Sequence, residues 1–334
     1  MRETTGLTPE QSTYRRGAVC AGVRRSAVGA LVALLLALSG CASQPGIPTT
    51  SQAPGVPQHT QLVQPVTGTA SPNPNATGAP SPARSEAIEL WRNDVRLAGT
   101  LEVPALAANE QVPLVILAHG FTSSQNEPLI RATAEALQQA HIASIRFDFE
   151  AHGASGGQQV DMTVPNEIQD AQVVYDYARS LPFVSKIGMV GHSQGGVVAA
   201  MLAGQLGEKI SALVLFAPAT IIPDNARAGD ILGARFDPNN PPDSITVNGF
   251  QVGRDYIVTA QSLPVREVPA QYTGPVSLIQ GAADEIVPVG RSEQYVTIFA
   301  RGQLHVLPGQ DHAFATDPGQ PATLAADFLA ANLR

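Results

Sequence analysis

Between residues 86 and 334 the chain alternates short apolar runs with helical patterns, and this alternation restricts the fold more than any other feature. The opening runs AIELW and RLAGTLEVP have the pattern of a hairpin. VPLVILAHG, IASIRFDF, KIGMVGHS, SALVLFAPA, PVSLIQG and QLHVLPG then read as strands. Between most of them lie the helical patterns PLIRATAEALQQA, NEIQDAQVVYDYARSL, QGGVVAAMLAGQLG and RSEQYVTIFA, and PATLAADFLAANL closes the chain. Nearly unbroken apolar strands are covered on both faces, so the pattern predicts an α/β fold with a mainly parallel, doubly wound sheet. Ligands of such sheets bind beyond the carboxyl ends of the strands, which directs attention to the loops that follow them. Only residues 220–271 break the rhythm. They are rich in Pro, Asp and Asn, too long for a plain connection, and read as a small cap inserted over the site.

Residues 1–85 do not share this pattern. Arg15, Arg16, Arg24 and Arg25 precede the apolar run Ala27 to Leu38, which ends in small residues, so residues 1–40 read as an export signal too short for a membrane span. Leu38-Ser39-Gly40-Cys41 resembles the lipobox of bacterial lipoproteins, which implies that Cys41 is lipidated and becomes the first mature residue, holding an exported protein on a membrane of the cell envelope. The other reading is an ordinary secreted protein in which Cys41 is incidental. Residues 41–85 read as a disordered tether: from Ala42 to Ala83 there is no Asp, Glu, Lys or Arg, and the Pro, Ser and Thr content cannot bury enough apolar area to offset chain entropy.

Removing residues 1–40 takes away five arginines and two glutamates and moves the formal charge from −8 to −11. An acidic domain whose lysines are Lys186 and Lys209 is not built for nucleic acid. The two cysteines are Cys20 and Cys41, so the domain has no thiol for a disulfide, a zinc site or a nucleophile, and its chemistry must use oxygen and nitrogen.

Gly191-His192-Ser193-Gln194-Gly195 has the form G-x-S-x-G and stands where the strand KIGMV gives way to a helix, a setting that presents a serine hydroxyl. A nucleophilic serine needs a base, and the base needs an orienting carboxylate. His305 and His312 follow Ser193. His305 lies inside a strand pattern, whereas His312 lies in the loop after it and is the expected base. Asp284, in the turn after VSLIQG, is the expected acid; its neighbour Glu285 could substitute, and Asp311 adjoins the base. The backbone N–H groups of Phe121 and Gln194 are the expected oxyanion donors. His119 and His152 read as loop-ordering residues and His192 as a packing residue. No cluster of metal ligands stands outside these residues, so neither metal nor cofactor is expected.

HGF, DFEAHGASGG, GHSQGG, GAADEIVP and GQDHAF, in this order, resemble the α/β-hydrolases across residues 86–334. GHSQGGVVAAMLAG, LVLFAPA and AQSLPVREVPAQYTGPVSLIQG are similar, more narrowly, to bacterial cinnamoyl (feruloyl) esterases. The broader resemblance implies an α/β-hydrolase fold. The narrower one implies that the cap contacts the phenolic ring of a hydroxycinnamate, through Tyr256 and Asp224 by position. Leu232 departs from it where a polar side chain is expected, as does the lipid anchor.

The expected function is therefore a membrane-anchored serine carboxylesterase acting on small esters, hydroxycinnamoyl esters among them. The alternatives are a serine aminopeptidase-like or other acyl hydrolase on the same fold, and a lipoprotein that binds a ligand without turning it over. A lipase would need a broadly apolar cap, which this composition does not suggest. Oligomeric state is not legible in the sequence.

Overall fold

Strands Arg84–Arg92 (β1) and Val95–Val103 (β2) form an antiparallel hairpin whose turn holds Asn93 at φ +54°, a backbone conformation that asparagine tolerates. The computed structural model describes residues 80–334. The expected export signal, Cys41 and the tether up to residue 79 lie outside the described residues. The expected end of the tether at residue 85 differs from what is seen: Ser81 exchanges two backbone hydrogen bonds with Leu106, both 2.9 Å, and β1 begins at Arg84.

The chain then alternates as its pattern dictates. Val112–Ala118 (β3) leads to Pro128–Gln139 (α1), which opens on proline, and Ala143–Phe147 (β4) to Val164–Ser180 (α2). Thr163 caps α2 by accepting the Asn166 N–H at 3.1 Å. Val184–His192 (β5) runs directly into Ser193–Leu206 (α3), and Ala212–Phe216 (β6) follows.

Residues 220–271 are not a structureless insert. They hold the helix Ile222–Ala228 (α4), the hairpins Asp230–Ile231 with Ala234–Arg235 (β7, β8) and Ser244–Val247 with Phe250–Gly253 (β9, β10), and the helix Arg254–Gln261 (α5). Val276–Gly281 (β11), Val289–Val296 (α6), Gly302–Leu307 (β12) and Gly319–Leu333 (α7) complete the domain.

The eight main strands lie in the order β1-β2-β4-β3-β5-β6-β11-β12. β2 is antiparallel to both neighbours and every pair from β4 to β12 is parallel. This is the α/β-hydrolase fold, an α/β architecture with the cap inserted between β6 and β11. Side chains of β3 alternate between two cores: Leu114, Ile116 and Ala118 face the layer containing α2 and α3, whereas Val115 and Leu117 face the layer of α1 and α7. The parallel strands end together beneath the cap, and their loops carry the site described next.

Candidate active site

The strand β5 turns into α3 without an intervening loop, and Ser193 sits on the turn at φ +51°, a left-handed conformation that costs a non-glycine residue about 1–3 kcal/mol. The flanking glycines make the turn possible. A Cβ on Gly191 would lie 2.1 Å from the carbonyl oxygen of Gly195, and one on Gly195 would lie 2.3 Å from that of His119. Among the described residues no side chain caps α3 from its N-cap position His192, and the first N–H groups of a helix have no partner within it.

Three loops from distant parts of the chain meet at this turn. His312, from the loop between β12 and α7, places Nε2 2.9 Å from Ser193 Oγ, and its Nδ1–H donates to Asp284 Oδ2 at 2.8 Å. Asp284 sits in the turn after β11. Its Oδ1 accepts the N–H groups of Ile286 and Val287 at 2.9 and 2.8 Å, and Oδ2 also accepts the Gln280 amide at 2.7 Å. Burial works to raise the Asp284 carboxyl, but bonding and charge from His312 with these further donors outweigh it and hold the carboxyl below its ordinary value. Gln280 is fixed in turn by the Ser292 hydroxyl at 2.6 Å. Of the other candidates, Glu285 is exposed, the Asp311 carboxylate accepts the Ala315 N–H, and His305 lies on the edge strand beside Arg301 and Asp327.

The loop after β3 folds against Ser193. The Gly120 N–H donates to Glu127 Oε2 at 3.1 Å and the Thr122 N–H to His152 Nε2 at 3.2 Å. The Phe121 N–H between them has no partner among the described residues, nor does that of Gln194. His152 Nδ1–H donates to the Glu150 carbonyl at 2.8 Å; His119 Nδ1–H donates to that of Gly120 at 2.7 Å while its Nε2 accepts the Phe149 N–H. Each ring is therefore used as a neutral donor-acceptor. Burial pushes both below their ordinary value, His152 to about 4. They order the loop, in agreement with the sequence reading.

His192 does more than pack. Its Nδ1 is ion-paired with Glu127 Oε1, and its Nε2–H donates to the backbone carbonyl of His312 at 2.9 Å. Burial opposes charge on both partners. Their mutual attraction overcomes it, raising His192 above its ordinary value and pulling Glu127 down to about 2. Glu127 was not legible as a site residue because, directly before Pro128, it reads as the approach to a helix.

Above Ser193 lies a pocket with about 470 Å³ of empty space, lined by Phe121, Gln194, Ala219, Ile221, Ile222, Asn225, Ala226, Ile231, Leu232, Tyr256, Ala260 and Ile286. The cap is two-sided: its residues facing this pocket are mainly apolar, whereas Asp237, Asn239, Asn240, Asp243, Asn248 and Asp255 are exposed. A reading from composition missed this, because composition averages the two sides. Tyr256 lines the pocket as the sequence suggests, with its hydroxyl donating to Gln194 Oε1 at 2.7 Å. Asp224 does not. Its carboxylate turns outward to Arg227 at 2.8 Å and Arg291 at 2.7 Å, beside a separate depression, because it lies on the side of α4 away from Asn225 and Ala226.

The Gln194 side chain, expected to matter only through its backbone, is clamped: Nε2 donates to both carboxylate oxygens of buried Glu167, at 2.9 and 2.8 Å. The signal in the sequence is faint. Glu167 and Asp170 occupy the stripe of α2 otherwise filled by Ala171, Val174 and Ala178, where carboxylates are not expected. Among the described residues no group of His, Cys, Asp and Glu is arranged to hold a metal ion.

Residues 109–239 match the family described as serine aminopeptidase, S33. The chain is 32% identical to the ferulic acid-bound Est1E of Butyrivibrio proteoclasticus, over 74% of this chain and 99% of that one, with a TM-score of 0.71. It is 24% identical to a monoacylglycerol lipase of Mycolicibacterium smegmatis, covering 63% of this chain and 85% of the relative. It is also 27% identical to the mouse mitochondrial palmitoyl-protein thioesterase ABHD10, over 67% and 77%. The chain belongs to the α/β-hydrolases and is a serine hydrolase of the esterase, thioesterase and lipase type.

Proposed function

We propose that this α/β-hydrolase is a carboxylesterase acting on small esters, hydroxycinnamoyl esters among them, with Ser193 as nucleophile. The observation that carries the reading is the bonded series Asp284, His312, Ser193 at the floor of a capped, mainly apolar pocket. Ser193 Oγ attacks the ester carbonyl as His312 Nε2 takes its proton, and Asp284 holds the ring and balances the imidazolium. The negative oxygen of the tetrahedral intermediate is held by the Phe121 and Gln194 N–H groups, which have no partner among the described residues. His312 returns the proton to the departing alkoxide. Water, activated by the same base, then releases the acid.

The pocket supports an ester over a peptide. Among the described residues no carboxylate lines it, so the lining offers nothing to a peptide's ammonium group, while Asn225 and Tyr256 provide polar contacts within an apolar lining suited to an aromatic or short aliphatic acyl group. The same lining favours a second reading, cleavage of monoacylglycerol or acyl thioester.

The first test is labelling by a fluorophosphonate, expected in the wild type and lost in Ser193→Ala; an unlabelled wild type removes the hydrolase reading. Turnover of methyl ferulate, p-nitrophenyl butyrate, a monoacylglycerol and an aminoacyl anilide then separates the substrate classes. Rapid anilide cleavage with no action on methyl ferulate overturns the ester assignment.

The reading extends to location. The chain is exported and held at the cell envelope by lipid on Cys41, supported by the lipobox-like residues and the charge-free segment after them. Cys41→Ser is expected to move the protein from the membrane to the soluble fraction, and unchanged membrane retention counts against the anchor.

A further inference from the structure

Beneath the pocket, Glu167, Gln194 and Tyr256 form a single file of hydrogen bonds from the interior of α2 to the substrate space. Glu167, Gln194 and Tyr256 are all nearly inaccessible to water. Gln194 is the only side chain that bonds Glu167 among the described residues, meeting both of its oxygens, and the far end of the same amide meets the Tyr256 hydroxyl.

No cation pairs with Glu167 among the described residues. The charged groups that face it are Asp170, from the next turn of α2, and Glu150, from the loop after β4, both acidic. Arg92 of β1 is committed to those two, to Asp170 at 2.6 Å and to Glu150 at 2.5 Å. Burial beside two carboxylates makes the ionised form of Glu167 costly and lifts it well above the usual carboxylate range; Asp170 is also raised, to about 6.

A side-chain amide can present either end, and the proton on Glu167 decides which end it wants. When Glu167 is ionised it accepts from Nε2 of Gln194. The amide oxygen then receives the Tyr256 proton, and the hydroxyl shows only lone pairs to the pocket. When Glu167 is protonated its O–H needs an acceptor, the amide turns over to offer its oxygen, and Nε2 donates to Tyr256. The tyrosine proton is then free to point at the substrate.

We propose that Glu167 is a specificity-determining positioning residue, which sets through Gln194 whether Tyr256 accepts a hydrogen bond from the substrate's acyl group or donates one to it. The inference rests on the ester-hydrolase reading of the pocket.

The test compares kcat/KM for methyl 4-(hydroxymethyl)cinnamate, which donates and accepts, with methyl 4-methoxycinnamate, which only accepts. Neither group ionises from about pH 5 to about pH 9, and the ratio cancels pH effects common to the two esters. In the wild type the ratio is expected near unity at low pH and to rise about two- to tenfold at high pH, the worth of one neutral hydrogen bond. Glu167→Gln, whose amide has no titrating proton, is expected to make the ratio independent of pH. Tyr256→Phe is expected to flatten the ratio and to lower kcat/KM for both esters below that of Glu167→Gln. A wild-type ratio that stays flat, or one that rises equally in Glu167→Gln, overturns the relay while leaving the hydrolase reading intact. Absence of turnover on both esters in a fluorophosphonate-reactive wild type instead fails the substrate reading on which the relay rests.

Discussion

His192 Nε2 lies 2.9 Å from the backbone carbonyl of His312, so the residue before the nucleophile holds the loop that carries the base. Its other nitrogen is paired with Glu127, which also receives the Gly120 N–H of the oxyanion loop. One buried ion pair thus joins the nucleophile turn, the base loop and the oxyanion loop.

Glu127→Gln is therefore expected to destabilise the fold by about 3–5 kcal/mol near pH 5.5, because it leaves a buried imidazolium unpaired. Glu127 is depressed, so its contribution is present above its ordinary 4.5 and is lost as pH falls through about 2. His192 is raised, so its contribution is complete below its ordinary 6.5 and is lost as pH rises through its elevated value. Urea unfolding of wild type and variant should show the largest difference between these limits and a smaller one at high pH. A difference that grows with pH would contradict the pairing.

Asp284→Asn is expected to lower kcat by about 10⁴-fold, since an amide cannot balance the imidazolium and favours the wrong tautomer. Glu285→Gln, at an exposed position, should stay within about twofold of wild type. Because Asp284 is held below its ordinary value of 3.8, it stays ionised through the working range, and its own protonation should leave no step in the kcat/KM profile above about pH 5. A swap of the two mutant phenotypes would assign the acid to Glu285.

Gly195→Ala should fail to reach a wild-type fold. Its Cβ would stand 2.3 Å from a backbone oxygen of the neighbouring loop, which no rotamer change relieves. A drop in Tm equivalent to about 3 kcal/mol or more is expected, with loss of fluorophosphonate labelling. A fully labelled variant with unchanged Tm would show that the turn can open to admit a methyl group.

Ala260→Phe should shorten the acyl pocket. Ala260 lies one turn after Tyr256 on α5 and lines the cavity while almost fully buried. Turnover of methyl ferulate is expected to fall by about 10–100-fold relative to p-nitrophenyl acetate, whose acetyl group needs little of the cavity. An equal loss on both esters would mean that the acyl group binds elsewhere.

Much of the architecture is legible in the chain because strands and helices leave local periods. The eight main strands and five helical patterns correspond to observed elements, and the turn at Ser193 is marked by glycines that any chain reversing so sharply requires. The elements inside residues 220–271 are short, of two to eight residues, and carry too few periods to be read. Asp224 and Asn225 show the limit most directly. Adjacent in sequence and both polar, one turns to Arg291 and the other to the pocket, and only the docking of α4 on the domain decides between them.

The sequence by itself determined a covered parallel sheet, a serine presented at a strand-to-helix junction, and an acid and a histidine on later loops at the same sheet end, since these follow from spacing and local conformation. Tertiary structure alone decided that Glu127 meets His192, that Glu167 meets Gln194, and that the cap is apolar inside and polar outside. Such pairings join residues from separate elements, and their energies depend on burial and distance, which no local pattern records.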